Sequence, residues 1–233
     1  QWYKDGSSIN GATSNIYTTT DAGSYYVIVS NTCNTVTSNN TLVTVNNTTL
    51  INTQPAAVIT CAGTSASFSV NATGTSLTYQ WYGPLGIING ATSSILSLSN
   101  VQSAAAGTYS VVVTGACNNV TSNTVTLTVN EAIVLTTQPT SVAICAPNFA
   151  TLTVTASGTN PTYKWYNNGA EISGATSNTY TTTTTGNYYA VVSNACTSVT
   201  SALAALTNNT AAVIVTQPAA VITCAGTSAS FSV

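Results

Sequence analysis

TQPAAVITCAGTSASFSV occupies residues 53–70 and recurs letter for letter at 216–233. A diverged copy, TQPTSVAICAPNFATLTV, occupies 137–154. The three starts, Thr53, Thr137 and Thr216, lie 84 and 79 residues apart. Tryptophans recur with the same two spacings at Trp2, Trp81 and Trp165, as does a second set of cysteines at Cys33, Cys117 and Cys196. A period of this size means that one small structural unit is repeated along the chain. The middle copy is the longer one, and its extra residues fall between Ala91 and Cys117.

Each copy reads as strands. Alternation over 64–70 puts Ala66, Phe68 and Val70 on one face, the period of a half-buried strand. A second alternating run, 77–82 (LTYQWY), directs Trp81 inward. Turn chemistry follows at Gly83-Pro84, with Asp5-Gly6 and Asn168-Gly169 in the neighbouring copies. A Gly-Ala-Thr step (Gly11, Gly90, Gly174) then leads into runs such as ILSL at 95–98. After it come AGTY ending at Tyr109, Cys117 and the alternating TVTLTV of 124–129. That is about seven short strands per copy with no helix-length pattern, an all-β fold of repeated sandwiches.

Composition narrows the function classes. Hydrophobic residues make up 44% of the 233 residues and charged ones 3%, where about a quarter is usual. The charges are Lys4, Lys164, Asp5, Asp21, Glu131 and Glu171, and there is no Arg, His or Met. Two lysines cannot neutralise a run of phosphates or grip an anionic membrane surface. No apolar run reaches the roughly 18 residues needed to span a bilayer, so membrane insertion is not expected. Isolated carboxylates without histidine form no catalytic constellation, and no C-x-x-C spacing suggests a metal site. Neither enzyme activity nor a cofactor is expected.

The tryptophan strand and the Gly-x-Tyr element (Gly23–Tyr25, Gly107–Tyr109, Gly186–Tyr188) resemble those of the immunoglobulin superfamily. The order TQP, Cys, YxW, GAT, GxY, Cys is similar to the bacterial immunoglobulin-like repeats of giant secreted surface adhesins of the flavobacterial gliding-motility type. The resemblance implies a tyrosine corner, whose hydroxyl bonds back to the chain, and tandem immunoglobulin-like β-sandwich domains. Gln1 aligns with Gln80, and Val233 with Val70. Residues 1–47 are therefore read as the C-terminal part of one domain and 48–130 and 131–209 as complete domains. Residues 210–233 are read as the N-terminal part of a further domain. Short apolar stretches, Leu50-Ile51, Ala132–Leu135 and Ala211–Val215, read as links between them.

The family's core disulfide joins the second strand to the sixth, positions held here by Val70 and Val111, by Val154 and Ala190, and by Val27. The cysteines lie elsewhere. In that topology Cys61 and Cys117 fall at opposite poles of one sandwich, on the order of 30 Å apart, against the roughly 7 Å that a disulfide allows between Cα atoms. The reading is a bridge between consecutive domains, Cys61 to Cys196, with partners for Cys33, Cys117, Cys145 and Cys224 outside this stretch. Within-domain pairs, Cys61–Cys117 and Cys145–Cys196, are the alternative. Either pairing implies an oxidising compartment.

The function implied is the structural shaft of a long cell-surface adhesin or filament, stiffened by disulfides, serving attachment or gliding. It would be secreted and extracellular, on a Gram-negative bacterium. The alternative is a carbohydrate-binding or spacer array of a secreted hydrolase. Tyr3, Tyr82 and Tyr166 follow the core tryptophans, so alternation turns them outward, where they could stack on a sugar. The expected partners are neighbouring domains of the same chain, with surface polysaccharide or other filament copies as further candidates. Nucleic acid is not among them.

Overall fold

The computed structural model describes residues 1–233. Apart from one 3-10 turn, Ser103–Ala105, all regular structure is strand. By contacts the chain divides into two compact units, Gln1–Ile59 with Thr64–Thr128, and Thr60–Gly63 with Val129–Val233.

The strands of the middle copy build a complete sandwich. One sheet pairs Ala66–Ser69 with Ile95–Leu98. The other runs Gly86–Ile87, Thr78–Gly83, Gly107–Thr114, Val125–Asn130 and Val58–Cys61, with Asn119–Thr121 also on Gly107–Thr114. The third copy repeats the arrangement. Ala150–Thr153 pairs with Thr179–Thr182. Opposite stands the sheet Ala170–Glu171, Thr162–Asn167, Gly186–Ser193, Ala204–Asn209 and Val142–Cys145, the last pair parallel. The first copy has only the second kind of sheet: Ser7–Ser8, Trp2–Lys4, Gly23–Ser30, Thr35–Thr37 and Thr41–Val43. This is the topology of tandem immunoglobulin-like β-sandwiches.

The repeated motifs each have a backbone task. Trp81 and Trp165 are fully buried, and each needs a partner for its indole N–H. The chain supplies it 12 residues on: Trp2, Trp81 and Trp165 donate to the carbonyls of Ser14, Ser93 and Ser177, each at 2.9 Å. The Gly-Ala-Thr step brings that segment close. Gly90, at φ +78°, turns the chain so that Ala91 O accepts the Trp81 backbone N–H, while Trp81 O accepts from Ile88. The tyrosine corner recurs three times. Tyr25, Tyr109 and Tyr188 donate to the carbonyl four residues back, on Asp21, Ala105 and Thr184, at 3.0, 2.8 and 2.7 Å. The glycine two residues before each tyrosine leaves room for the neighbouring strand's turn. A Cβ on Gly107 would lie 2.8 Å from Pro84 Cγ, and its φ of +145° disfavours side chains in any case.

At the family's disulfide positions the core is apolar. Val70, Val111, Val154 and Ala190 are all buried, and Trp81 and Trp165 lie directly opposite Val111 and Ala190 in register. Phe68 packs its ring 4.9 Å from Tyr109 and 6.2 Å from Trp81.

Two expected links are strands. Leu50–Thr53 pairs with Asn71–Thr73, and Val134–Thr137 with Thr155–Ser157, each ladder with a register shift. Their backbones are drawn onto the neighbouring strands by ladder hydrogen bonds, while Leu50 and Val134 stay exposed. Ala211–Val215 forms no strand, nor does any part of 210–233.

Truncating the core at Phe68 should be costly. Phe68→Ala is expected to lose about 3–5 kcal/mol in urea unfolding of its sandwich, and Tyr188→Phe about 1 kcal/mol. A Tyr188→Phe protein as stable as the parent would remove the corner hydrogen bond from the account.

A candidate covalent junction

The loop that follows each Gly-x-Tyr strand carries the second-set cysteine, and local hydrogen bonds fix its shape. In the third copy Asn194 organises it. Its Oδ1 accepts the backbone N–H groups of Cys196 and Thr197, both at 2.9 Å, which is an Asx turn. Its Nδ2 donates to Glu131 O at 2.7 Å and to Thr159 O at 2.9 Å. Thr197 Oγ1 accepts from Ile133 N at 2.7 Å. All four hydrogen-bonding positions of the Asn194 amide are used, so Cys196 is presented by a rigid loop. Asn31 builds the same turn around Cys33. In the middle copy glycine replaces the asparagine. A Cβ on Gly115 would collide with Thr49 Oγ1, and buried Thr49 is instead gripped by Asn118 through its N–H, hydroxyl and carbonyl.

The structure joins Cys196 to Cys61, with Cα atoms 5.7 Å apart and a separation of 135 positions in sequence. Cys61 ends the strand Val58–Cys61, and Ala62 N donates to Asn130 O at 2.9 Å. The Cys196 sulfur lies 3.6 Å from that same carbonyl. Asn130 is therefore the point around which both half-cystines gather.

The Asn130 site recurs, half-built, at two other places. One period earlier, Cys117 Sγ donates to Asn46 O at 3.3 Å, with no strand cysteine beside it. One period later, Cys145 stands opposite Asn209 in the parallel ladder, with no loop cysteine beside it. Cys33, Cys117, Cys145 and Cys224 are exposed and hold free thiols, and neither within-domain pair, Cys61–Cys117 or Cys145–Cys196, is formed.

The outward tyrosines are placed differently from one another. Tyr3 stacks on Tyr26 and Tyr166 on Tyr189, in both cases at 4.9 Å between ring centroids. Each is a directly opposed cross-strand pair. Tyr82 stands opposite Ser110. One ring face of Tyr3 and of Tyr166 is thus covered by a tyrosine that alternation alone did not single out. Beside this pair, Lys164 Nζ lies 3.0 Å from Glu171 Oε1, and Tyr166 Oη donates to Glu171 Oε2 at 3.3 Å. The lysine's hydrogen bond holds the Glu171 carboxyl below its ordinary range and pushes Lys164 up. Partial burial, with Glu171 beside it, pushes the Tyr166 hydroxyl up.

No group of three or more His, Cys, Asp or Glu could hold a metal ion, and no helix is long and apolar enough to cross a membrane. An open apolar groove of about 620 Å³ lies on the middle copy between Pro84, Leu98, Val101 and Tyr109. It is bordered by the 3-10 turn that belongs to that copy's extra residues.

No protein-family model matches the chain, and no curated protein matches it. Its fold is shared by solved tandem immunoglobulin arrays. The titin domains I67–I69 in an E-to-A variant superpose with a TM-score of 0.68 at 17% identity, over 89% of this chain and 87% of that one. Sidekick-1 immunoglobulin domains 1–5 give 0.61 at 20% identity, over 93% of this chain and 55% of that one. Drosophila OTK extracellular domains 3–5 give 0.51 at 16%, over 89% and 84%. At these identities the likeness is one of fold.

Two outcomes are expected. Asn194→Ala removes the turn that presents Cys196, so dithiothreitol should reduce the Cys61–Cys196 bond roughly tenfold faster, with Asn194→Asp intermediate because its carboxylate still accepts. Thiol appearance followed with a chromogenic disulfide reads this directly, and an unchanged rate would contradict it. Melting temperature should be flat between about pH 5 and 8, since no histidine is present. The depressed Glu171 stabilises above its unfolded pKa, and that contribution is lost as pH falls through the folded one. The raised Lys164 stabilises below its unfolded pKa, and that contribution is lost only as pH rises through the folded value. A melting temperature that stepped near pH 6.5 would contradict this.

Proposed function

We propose that this chain is shaft material of a long extracellular adhesin or filament, secreted to the surface of a Gram-negative bacterium and serving attachment or gliding. The observation that carries this reading is the Cys61–Cys196 bond. A disulfide buried within one sandwich protects that sandwich. This one ties the strand end of the middle copy to the loop of the next, so that tension along the chain bypasses the residues between them.

The covalent path makes the consequence concrete. A force applied at the two ends passes from Cys61 to Cys196 through two sulfur atoms, and residues 62–195 carry none of it. Cys145 lies inside this loop. Bonding of Cys145 to the loop cysteine of the following copy would make successive closed loops overlap. An array so linked would yield little length under load even when a sandwich opens. The sparse charge suits a shaft of this kind, because its stiffness would depend little on salt. Neither does it need the clustered carboxylates with which calcium-stiffened arrays hold their ion.

The bacterial surface assignment is supported by the repeat order TQP, Cys, YxW, GAT, GxY, Cys. An oxidising location is supported by the disulfide itself.

Pulling single molecules by their ends tests the mechanical claim. The oxidised protein should unfold without releasing 62–195. Reduction should add on the order of 450 Å of contour, from a separation of 135 positions at about 3.3–3.6 Å each. Equal contour lengths in the two states would overturn the proposal.

A further inference from the structure

The outer face of the third copy's larger sheet carries two phenol rings in register. Trp165, Tyr188 and Ala190 point into the core, so alternation turns Tyr166 and Tyr189 to the opposite face, where both are half-buried. They stand directly opposite one another in the ladder between Thr162–Asn167 and Gly186–Ser193. Their ring centroids are 4.9 Å apart and their planes 1° from parallel. Rings so aligned bring the carbons ortho to the two hydroxyls close together, with both phenol ends leaving the sheet on the same side. Tyr180 and Tyr188 differ: their rings are tilted by 35° at 5.9 Å, and the Tyr188 hydroxyl is committed to Thr184 O.

We propose that Tyr166 and Tyr189 are a cross-strand dityrosine site, joined by a carbon–carbon bond when the chain meets a one-electron oxidant such as a haem peroxidase with hydrogen peroxide. Glu171 is the proton acceptor. Tyr166 Oη donates to Glu171 Oε2 at 3.3 Å, and Lys164 Nζ, 3.0 Å from Oε1, keeps that carboxylate ionised. Desolvation, with Glu171 beside it, pushes the Tyr166 hydroxyl up, so at neutral pH it is a phenol that loses a proton with its electron. Each phenol gives one electron to the oxidant and releases one proton, that of Tyr166 passing to Glu171. The two phenoxyl radicals couple between ortho carbons, and the hydrogens on those carbons move as protons to the oxygens, restoring both phenols. The rings together lose two electrons and two protons, and one hydrogen peroxide takes these up to become two waters.

Composition leaves this pair open to the reaction. The chain has no Met to divert an oxidant, and Trp81 and Trp165 are fully buried. The stacked pair recurs at Tyr3 and Tyr26, 4.9 Å apart and 6° from parallel, whereas Tyr82 stands opposite Ser110 and has no second ring. The bond ties two adjacent strands in a way that thiol reductants do not reverse, in contrast to Cys61–Cys196.

Such a link goes beyond the shaft reading, and it can fail while the Cys61–Cys196 bond stands. The test treats the 233-residue chain, its free thiols first alkylated, with peroxidase and limiting hydrogen peroxide, and reads dityrosine fluorescence, intact mass and peptide maps of the monomer. A loss of two hydrogens per link with no oxygen gained is expected, with Tyr166 joined to Tyr189. Tyr189→Phe, which keeps the ring, should abolish that link and leave the melting temperature unchanged. Ser110→Tyr should add a link to Tyr82. Glu171→Gln should slow linkage at Tyr166 roughly tenfold at about pH 7, and the difference should vanish above about pH 11, where the phenol is already ionised. An unchanged mass, oxygen addition without hydrogen loss, links only between separate molecules, a Tyr166 link that survives Tyr189→Phe, or a rate indifferent to Glu171→Gln at neutral pH would each overturn the inference.

Discussion

A β-strand makes none of its hydrogen bonds to itself, and this chain shows how completely that constraint governs it. Eighteen identical residues form strands at Val58–Cys61 and Ala66–Ser69 and none at 216–233. Nothing local differs between them. What differs is a partner: Ile95–Leu98 for one ladder and Val125–Asn130 for the other. Propensity offers the strand, and pairing and burial decide it.

Much of this was legible from the sequence because the repeated residues have fixed backbone tasks. The tryptophan needs an acceptor for its indole, and the Gly-Ala-Thr step brings Ser14, Ser93 or Ser177 to it. The corner tyrosine needs a carbonyl four residues back, and the glycine before it needs space. Alternation placed Phe68 and Val70 in the core. The strands Leu50–Thr53 and Val134–Thr137 were missed because they are short and their ladders shift register, which blurs a period of two. Tyr26 and Tyr189 were missed because stacking depends on cross-strand register, which one strand's sequence does not contain. Asn194 gave a faint signal, an Asx residue two before a loop cysteine, but its contacts with Glu131 and Thr159 are long-range.

The placement of the cysteines follows from the same economy of partners. With the central core filled by Val111, Trp81, Ala190 and Trp165, a disulfide there would displace good packing. At the sandwich pole the Asn130 carbonyl accepts from Ala62 N, which brings Cys61 beside it, and a cysteine presented by an Asn-fixed loop meets Cys61 there. The covalent bond then does for the chain's poles what strand pairing does for its sheets: it supplies a partner from a different repeat.

The covalent bond runs between copies of the repeat. Mass spectrometry of non-reduced chymotryptic peptides from the monomeric protein measures this most directly. The account predicts a single dominant cross-linked species carrying Cys61 and Cys196. Peptides joining Cys61 to Cys117 and Cys145 to Cys196 would contradict it.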